Sequence, residues 1–400
     1  MENGVTQITI NAPVHSRSFY GMKSRELIKA ILVLRPEWNI RVFNYDENNV
    51  RNDFIDNDID FLIQSYDEST PDIWIQIGNP LEYIRKGIKN IGITYSYDFN
   101  PIDKFILGCD NMDLIVTYSK YSADMMQSFE RKIDANNSIK ITTPIIILPE
   151  YSSIACNKTL MDNKNDSTLL DDIDTPWNFI VDGYWETTDP IDFGGRNKDN
   201  IGFIITNFLS TFSNTDINIG LILKVHGNIP SNIDRINLEK KIASYYNGVK
   251  GLNAKIYLIN GDLNEEDTWK LYSDSKIKAM ISIPQRSDTV HNEIEFAFST
   301  GKPIIYSNYA AQKEYLSYKG NIEINGDIKQ INGGGPMIVD SYSVELKLSM
   351  YEMYHHYNDL MIDSYDNSRA VSNALNKDNY IFAVNNLLNE IIQIPTQQDD

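Results

Sequence analysis

The stretch Asn292–Asn308 reads NEIEFAFSTGKPIIYSN. A helix-like run carrying Glu293 and Glu295 stops at Thr300-Gly301-Lys302-Pro303 and gives way to the apolar run Ile304-Ile305-Tyr306. Just before it stands another apolar run, AMISIPQ, so the order is strand, helix, strand. Strands joined through helices imply a mostly parallel sheet with both faces covered. In such sheets ligands bind beyond the carboxyl ends of the strands, which is where a carboxylate on the following helix would stand.

The same alternation extends outward in both directions. Upstream lie the strand WNFIVDGYW, the helix NIGFIITNFLSTF, the strand IGLILKVHG, the helix NLEKKIASYYNG, the strand AKIYLING and the helix NEEDTWKLYSDS. Downstream, after a Gly333–Pro336 loop, two long helices are expected, SVELKLSMYEMYHHYNDLM and NYIFAVNNLLNEII. The first 150 residues show a second series. It holds the strands TQITINAP, NIRVFNY, DIWIQIG, NIGITYSY, DLIVTYS and IKITTPIIILP, with helices expected at GMKSRELIKAILVL, DIDFLIQSY, PLEYIRKG and YSADMMQSFERK. In the helix after the first strand, Leu27, Ile28, Ile31 and Leu34 share one face. The polar, acidic run 157–176 interrupts the two series and reads as a connection. The expected organisation is a first α/β domain over 1–156, the connection over 157–176, a second α/β domain over 177–375, and a terminal helix over 376–400 that packs back on the first domain.

The chain has 400 residues, 42% of them hydrophobic, enough for two cores. No apolar run reaches the ~20 residues that span a bilayer, and the start MENGVTQITINAP lacks the pattern of a signal peptide. The two cysteines, Cys109 and Cys156, form no metal-spaced cluster and read as reduced thiols of a cytoplasmic protein. A formal net charge of −19 argues against non-specific coating of nucleic acid.

Four loops of the second series follow strands. Gly194, Gly195, Arg196 and Lys198 precede a helix start, where backbone N–H groups and cations suit a diphosphate; an ordinary polar loop is the alternative. Lys224 ends an apolar strand, where it requires a partner, a ligand or access to solvent. Asn260, Gly261 and Asp262 offer backbone groups to a planar base. Glu295 can accept hydrogen bonds from both hydroxyls of a ribose, or can complement the helix dipole. In the first series, Tyr20-Gly21 lies between the first strand and its helix, where a glycine allows close approach or a tight turn. Neither a dinucleotide fingerprint nor a phosphate-binding G-x-x-x-x-G-K-[ST] motif occurs. Asp56, Asp58 and Asp60, and Asp172 and Asp174, do not follow strands that would aim them into a cleft, so no metal site is expected.

Together, SFYGMKSRE, GGRNKDN with LILKVHG, and EIEFAFSTGKPII resemble the motifs of GT-B glycosyltransferases, in order, over nearly the whole chain. More narrowly, APVHSRSFYGMKSRELIKAIL, PDIWIQIGNPLEYIRKGIKNIGITYSYD and NMDLIVTYSKYSADMM look like glycosyltransferases encoded by tailed phages, some of which modify hydroxymethylated pyrimidines in DNA. The resemblance implies two doubly wound Rossmann-like domains facing across a cleft. It implies a nucleotide-sugar co-substrate such as a UDP-sugar, with no cofactor and no metal. Two departures stand out. Ser287 occupies the position eight before Glu295 where retaining members carry an acid, which leaves Asp288 or Gln285 to contact the sugar. Phe19 replaces a small residue before Tyr-Gly.

By the same resemblance, Arg196, Lys198 and Lys224 would stabilise the leaving diphosphate and Glu295 would hold the ribose, with Gly21, Asn260 and Asp288 also on the donor side. Asp98 would position or deprotonate the acceptor hydroxyl. The first choice of acceptor is a hydroxymethylated pyrimidine in phage DNA, with Arg17, Tyr20, Lys23 and Arg25 on the acceptor side. His15, Arg85, Lys86 and Lys89 would add phosphate contacts. The alternatives are a glycan or protein acceptor, or a two-lobed ligand-binding protein without catalysis.

Overall fold

Most apolar runs of the first series are buried on both faces, as expected for strands covered by helices on either side, while the last, Ile145–Ile147, is partly exposed. In the computed structural model they form six parallel strands: β1 (Gln7–Ala12), β2 (Asn39–Asn44), β3 (Ile73–Ile77), β4 (Lys89–Ile93), β5 (Leu114–Thr117) and β8 (Ile145–Ile147), in the order β2-β1-β3-β4-β5-β8. The structure describes residues 5–47, 51–95, 103–132, 137–151, 169–185, 199–215, 217–227, 231–247, 253–261, 263–285, 292–309, 311–330 and 337–395. The chain divides into two units, Met1–Glu150 with Asp378–Asp400, and Tyr151–Lys377.

In the first unit, helix α1 (Phe19–Leu34) starts at Ser18, whose hydroxyl accepts the Gly21 amide at 3.0 Å. Its face Leu27, Ile28 and Ile31 is buried; Leu34, expected on that face, is only partly so. Helices α2 (Asp103–Asp110) and α3 (Lys120–Ser128) follow, and α3 is capped by Ser119. Two expected helices are single 3₁₀ turns. At Asp60–Leu62 the chain returns to pair Ile63 with Val42. At Pro80–Glu82 the turn ends because Gln76 Oε1 takes the Ile84 amide at 3.1 Å. The expected single strand IKITTPIIILP is split. Ser138–Lys140 (β7) pairs antiparallel with Glu130–Lys132 (β6), and only Ile145–Ile147 enters the main sheet. Helix α11 (Lys377–Gln393) belongs to this unit from Asp378 onward. Its Asn385 and Asn389 accept from Arg35 at 3.0 and 2.9 Å, and its Ile391 carbonyl accepts from Lys89.

In the second unit the six parallel strands are β9 (Trp177–Tyr184), β10 (Ile219–His226), β11 (Ala254–Ile259), β12 (Ile277–Ser282), β13 (Ile304–Ser307) and β14 (Ile322–Ile324), in the order β11-β10-β9-β12-β13-β14. The helices are α4 (Ile201–Phe212), α5 (Asn232–Tyr245), α6 (Glu265–Ser273), α7 (Asn292–Thr300), α8 (Gln312–Leu316), α9 (Ser343–His355) and α10 (Tyr357–Ala374). One core lies against α4 and α9, with Phe179, Phe208 and Phe212 at its centre; the other lies against α6 and α7, with Tyr272, Phe296 and Ile180. Leu170 and Ile173, inside the expected connection, are buried in this second core. The first of the two expected terminal helices breaks at His356 (φ −111°, ψ 20°), giving α9 and α10. A hairpin, β15 (Gly326–Gln330) with β16 (Met337–Ser341), was not foreseen.

Candidate functional site

The strand order reverses about β9 in the second unit, so its crevice opens beyond the carboxyl ends of β9 and β12. There the Asp199 carboxylate accepts the Tyr184 amide at 2.7 Å, and the Asn200 side chain donates to the Ile283 carbonyl at 2.7 Å. Asn200 holds φ +57° and starts α4; asparagine tolerates this left-handed backbone better than most residues. Among the described residues, Asp199 Oδ1 and Asn200 Oδ1 are buried oxygens without a hydrogen-bond partner, a condition native proteins keep at few places, functional sites among them. Sequence reasoning missed this pair. The signal was present: Asp-Asn directly before an apolar helical run is a helix-start signature.

One strand away, Lys224 of β10 stands in register with Asp182 of β9. The two form an ion pair at 2.7 Å, and the Tyr272 hydroxyl donates to the same Asp182 oxygen at 2.8 Å. Burial alone would raise the Asp182 carboxyl, but Lys224 and Tyr272 outweigh it and hold the group below the usual carboxylate range. Tyr272 stacks on Phe296 with ring centres 4.2 Å apart. Phe296 adjoins Glu295 on α7, and the Glu295 side chain is buried at 5% exposure. Lys224 and the helix of Glu295 are thus joined through Asp182, Tyr272 and Phe296. Gln285, three residues beyond the end of β12, is also buried. Asn260 donates to the Val225 carbonyl and to Asp234, which also accepts the Gly227 amide, so its amide nitrogen braces two adjacent loops. Arg196, Lys198, Asp288 and Asp98 lie outside the described residues, as do Gly194, Gly195, Asp262, Ser287 and Cys156.

The lysine of the opening stretch is structural. Lys302 donates to the carbonyls of Tyr272 and Asp274 at 2.6 and 2.7 Å, closing the end of α6. Burial pushes its ammonium down to about 7. Gly301 takes φ +70°, and a side chain there would meet Tyr365.

The cations expected on the acceptor side are differently placed. Lys23 is fully buried, 3.1 Å from Glu26 and 3.7 Å from Glu150, so it is no surface contact for a phosphate. Arg25 is also buried. It donates to the carbonyls of Val14 and Ser16 at 2.7 Å and lies over the Phe54 ring, which pins the loop after β1. Arg17 is exposed and pairs with Asp53 at 2.7 Å. Arg85 pairs with Asp113, Lys86 donates to the Asp67 carbonyl, Lys89 reaches the end of α11, and His15 faces Asp60. The space beside Gly21 is filled by the chain itself: an added Cβ would stand 2.2 Å from the Ser16 carbonyl oxygen. Tyr20 stacks on Tyr95 and its hydroxyl meets Thr94 at 3.1 Å, beyond the end of β4. Asp56 and Asp58 pair with Lys29, and Asp174 with Lys255 and Tyr257. Among the described residues, no helix is long and apolar enough to cross a membrane.

No protein-family model and no curated protein matches the chain. Solved structures do match. A glycosyltransferase from Rickettsia africae ESF-5 superposes with a TM-score of 0.62 at 12% identity, covering 98% of this chain and 100% of that one. Trehalose-6-phosphate synthase OtsA gives 0.59 at 10% identity over 98% and 100%. Anabaena HepE in complex with UDP-glucose gives 0.58 at 10% identity over 96% and 99%. Each likeness spans both units, so the chain has the two-domain α/β architecture of GT-B glycosyltransferases.

Proposed function

We propose that the protein is a glycosyltransferase that moves a sugar from a UDP-sugar to an acceptor hydroxyl. The observation that carries this is the likeness over both units to glycosyltransferase structures, one of them in complex with UDP-glucose. The switch point of the second unit supports it, with Glu295 on the helix that follows β12. In this reading Arg196 and Lys198 hold the diphosphate at the start of α4, and Glu295 accepts both ribose hydroxyls. Lys224 lends part of its charge through the same end of the sheet. Negative charge developing on the leaving group is met by these cations, with no metal required. Asp98 positions the acceptor hydroxyl.

For the acceptor, an uncharged glycan hydroxyl is favoured. The hydroxymethylated pyrimidine of phage DNA needs a face of available cations, whereas Lys23 and Arg25 are buried and the other candidates are engaged by internal partners. The deciding experiment is calorimetry with UDP and a panel of UDP-sugars, followed by mass spectrometry of neutral glycans and of hydroxymethylated duplex DNA after incubation with protein and donor. UDP-sugar binding and a glycan mass increase that persist in excess EDTA are expected. Absence of any UDP-sugar binding overturns the reading, and transfer to DNA alone reverses the choice of acceptor.

A further inference from the structure

The amino end of β9 carries a feature that the transfer site does not use. Trp177 begins the strand, and the break between α9 and α10 lies against it. Together they form an open cleft of about 450 Å³ lined by Trp177, Tyr354, His355, His356, Tyr357, Asn358 and Asp359. That volume falls in the range of small-molecule sites, roughly 300–1,000 Å³. β9 is eight residues long and the donor crevice lies beyond its other end, so the two places are separated by roughly 23 Å of strand at about 3.3 Å per residue.

We propose that this cleft is a second saccharide site, which holds a neutral sugar ring of a glycan chain away from the point of transfer. Three aromatic rings converge there. Tyr354 and Tyr357 meet Trp177 edge to face, at 5.4 and 5.9 Å between ring centres. All three are partly exposed, while His355, His356, Asn358 and Asp359 around them are exposed. A pyranose has the matching surface: an apolar C–H face to lie on a ring, and a rim of hydroxyls that donate to carboxylate and amide oxygens and accept from amide and imidazole N–H groups. The Asp359 carboxylate disfavours a phosphate or an acidic sugar. The Lys278 ammonium lies 5.7 Å from the centre of the Tyr357 ring, which places a positive charge where a ligand cation would stack. A neutral ring is the remaining match. That the bound chain is the acceptor or product of transfer rests on the proposed activity; the binding itself does not.

The test uses the full chain without donor. Saturation-transfer NMR and calorimetry are run with neutral glucan and chitin oligosaccharides on wild type, Tyr357→Ala and Asn358→Ala. Circular dichroism melts check that the variants fold, and UDP-glucose affinity is measured in parallel. Wild type is expected to bind at least one oligosaccharide. Tyr357→Ala should weaken it about tenfold or more and Asn358→Ala by less, with UDP-glucose affinity unchanged. No oligosaccharide binding by wild type, binding that both folded variants retain, or displacement of the oligosaccharide by tetramethylammonium, which would mark a cation site, each overturns the proposal. Absence of wild-type binding to every UDP-sugar of the panel overturns the transferase reading and leaves the saccharide result standing.

Discussion

Two lysines, one near the carboxyl end of each sheet, meet different surroundings. Lys23 of the first unit has no exposure and lies between two carboxylates, Glu26 and Glu150. Lys224 of the second unit has one carboxylate partner among the described residues, Asp182, and keeps 13% of its side chain exposed. Enclosure separates the roles. A fully buried ammonium held by two acids is closed to a ligand, whereas a paired lysine that keeps some exposure can turn another of its three N–H groups toward an added anion. Position along a strand–helix unit therefore finds cations near a site, but burial decides which of them a ligand can reach.

Lys23→Met breaks the comparison most severely, because it removes the ammonium beside the buried Glu150 and the nearly buried Glu26. We expect a loss of about 3–5 kcal/mol in denaturant melts, shrinking at acid pH as Glu26, whose carboxyl burial already raises, takes up its proton. A stability within error of wild type would show that the cluster is not held by charge. Lys302 gives a buried lysine that donates to two backbone carbonyls, with the Asp274 charge too weak to offset its burial. Its ammonium titrates near 7 when folded and near 10.5 when free, so between those values the unfolded chain binds the extra proton and stability rises with pH. A gain on the order of 5 kcal/mol across that window is expected, and Lys302→Met should flatten it. Glu295→Gln sharpens the second-unit side: UDP-sugar affinity should fall by about 1.5–3 kcal/mol in calorimetry, with little change in melting temperature. The smallest effect belongs to Arg17→Ala, which cuts an exposed pair and should leave the melting temperature unchanged. A flatter salt dependence of binding to modified DNA in that variant would restore DNA as the acceptor.

The strand–helix alternation was legible because each buried run is short, β-branched and bounded by turn residues. The strand orders were not, since register depends on pairing between distant segments. The 3₁₀ turn at Pro80–Glu82 was read as a helix because the competing bond, from Gln76 to the Ile84 amide, leaves no trace in local spacing. Helix α2 went unread in DKFILGCD, a run of only eight residues. Lys224 and Glu295 could be picked out as polar groups beside apolar strands. Lys23 was placed on the surface because its partner Glu150 lies at the far end of the unit's sequence. Tyr354 to Asp359 lay inside what reads as one uninterrupted helix, so the bend that opens the cleft was invisible.

Helix α11 has a consequence for biosynthesis. The chain builds the first unit, passes through the whole of the second, and returns to bury Tyr380, Val384, Leu387, Leu388 and Ile391 in the first. A ribosome making this protein must therefore finish the second unit before the first can close. Until then the nascent first unit stands with an uncovered apolar face and with its buried acids and lysine short of their lid, a state open to chaperones and to aggregation. The contacts that complete it are among the longest in sequence the chain makes, which makes their formation a slow and late step.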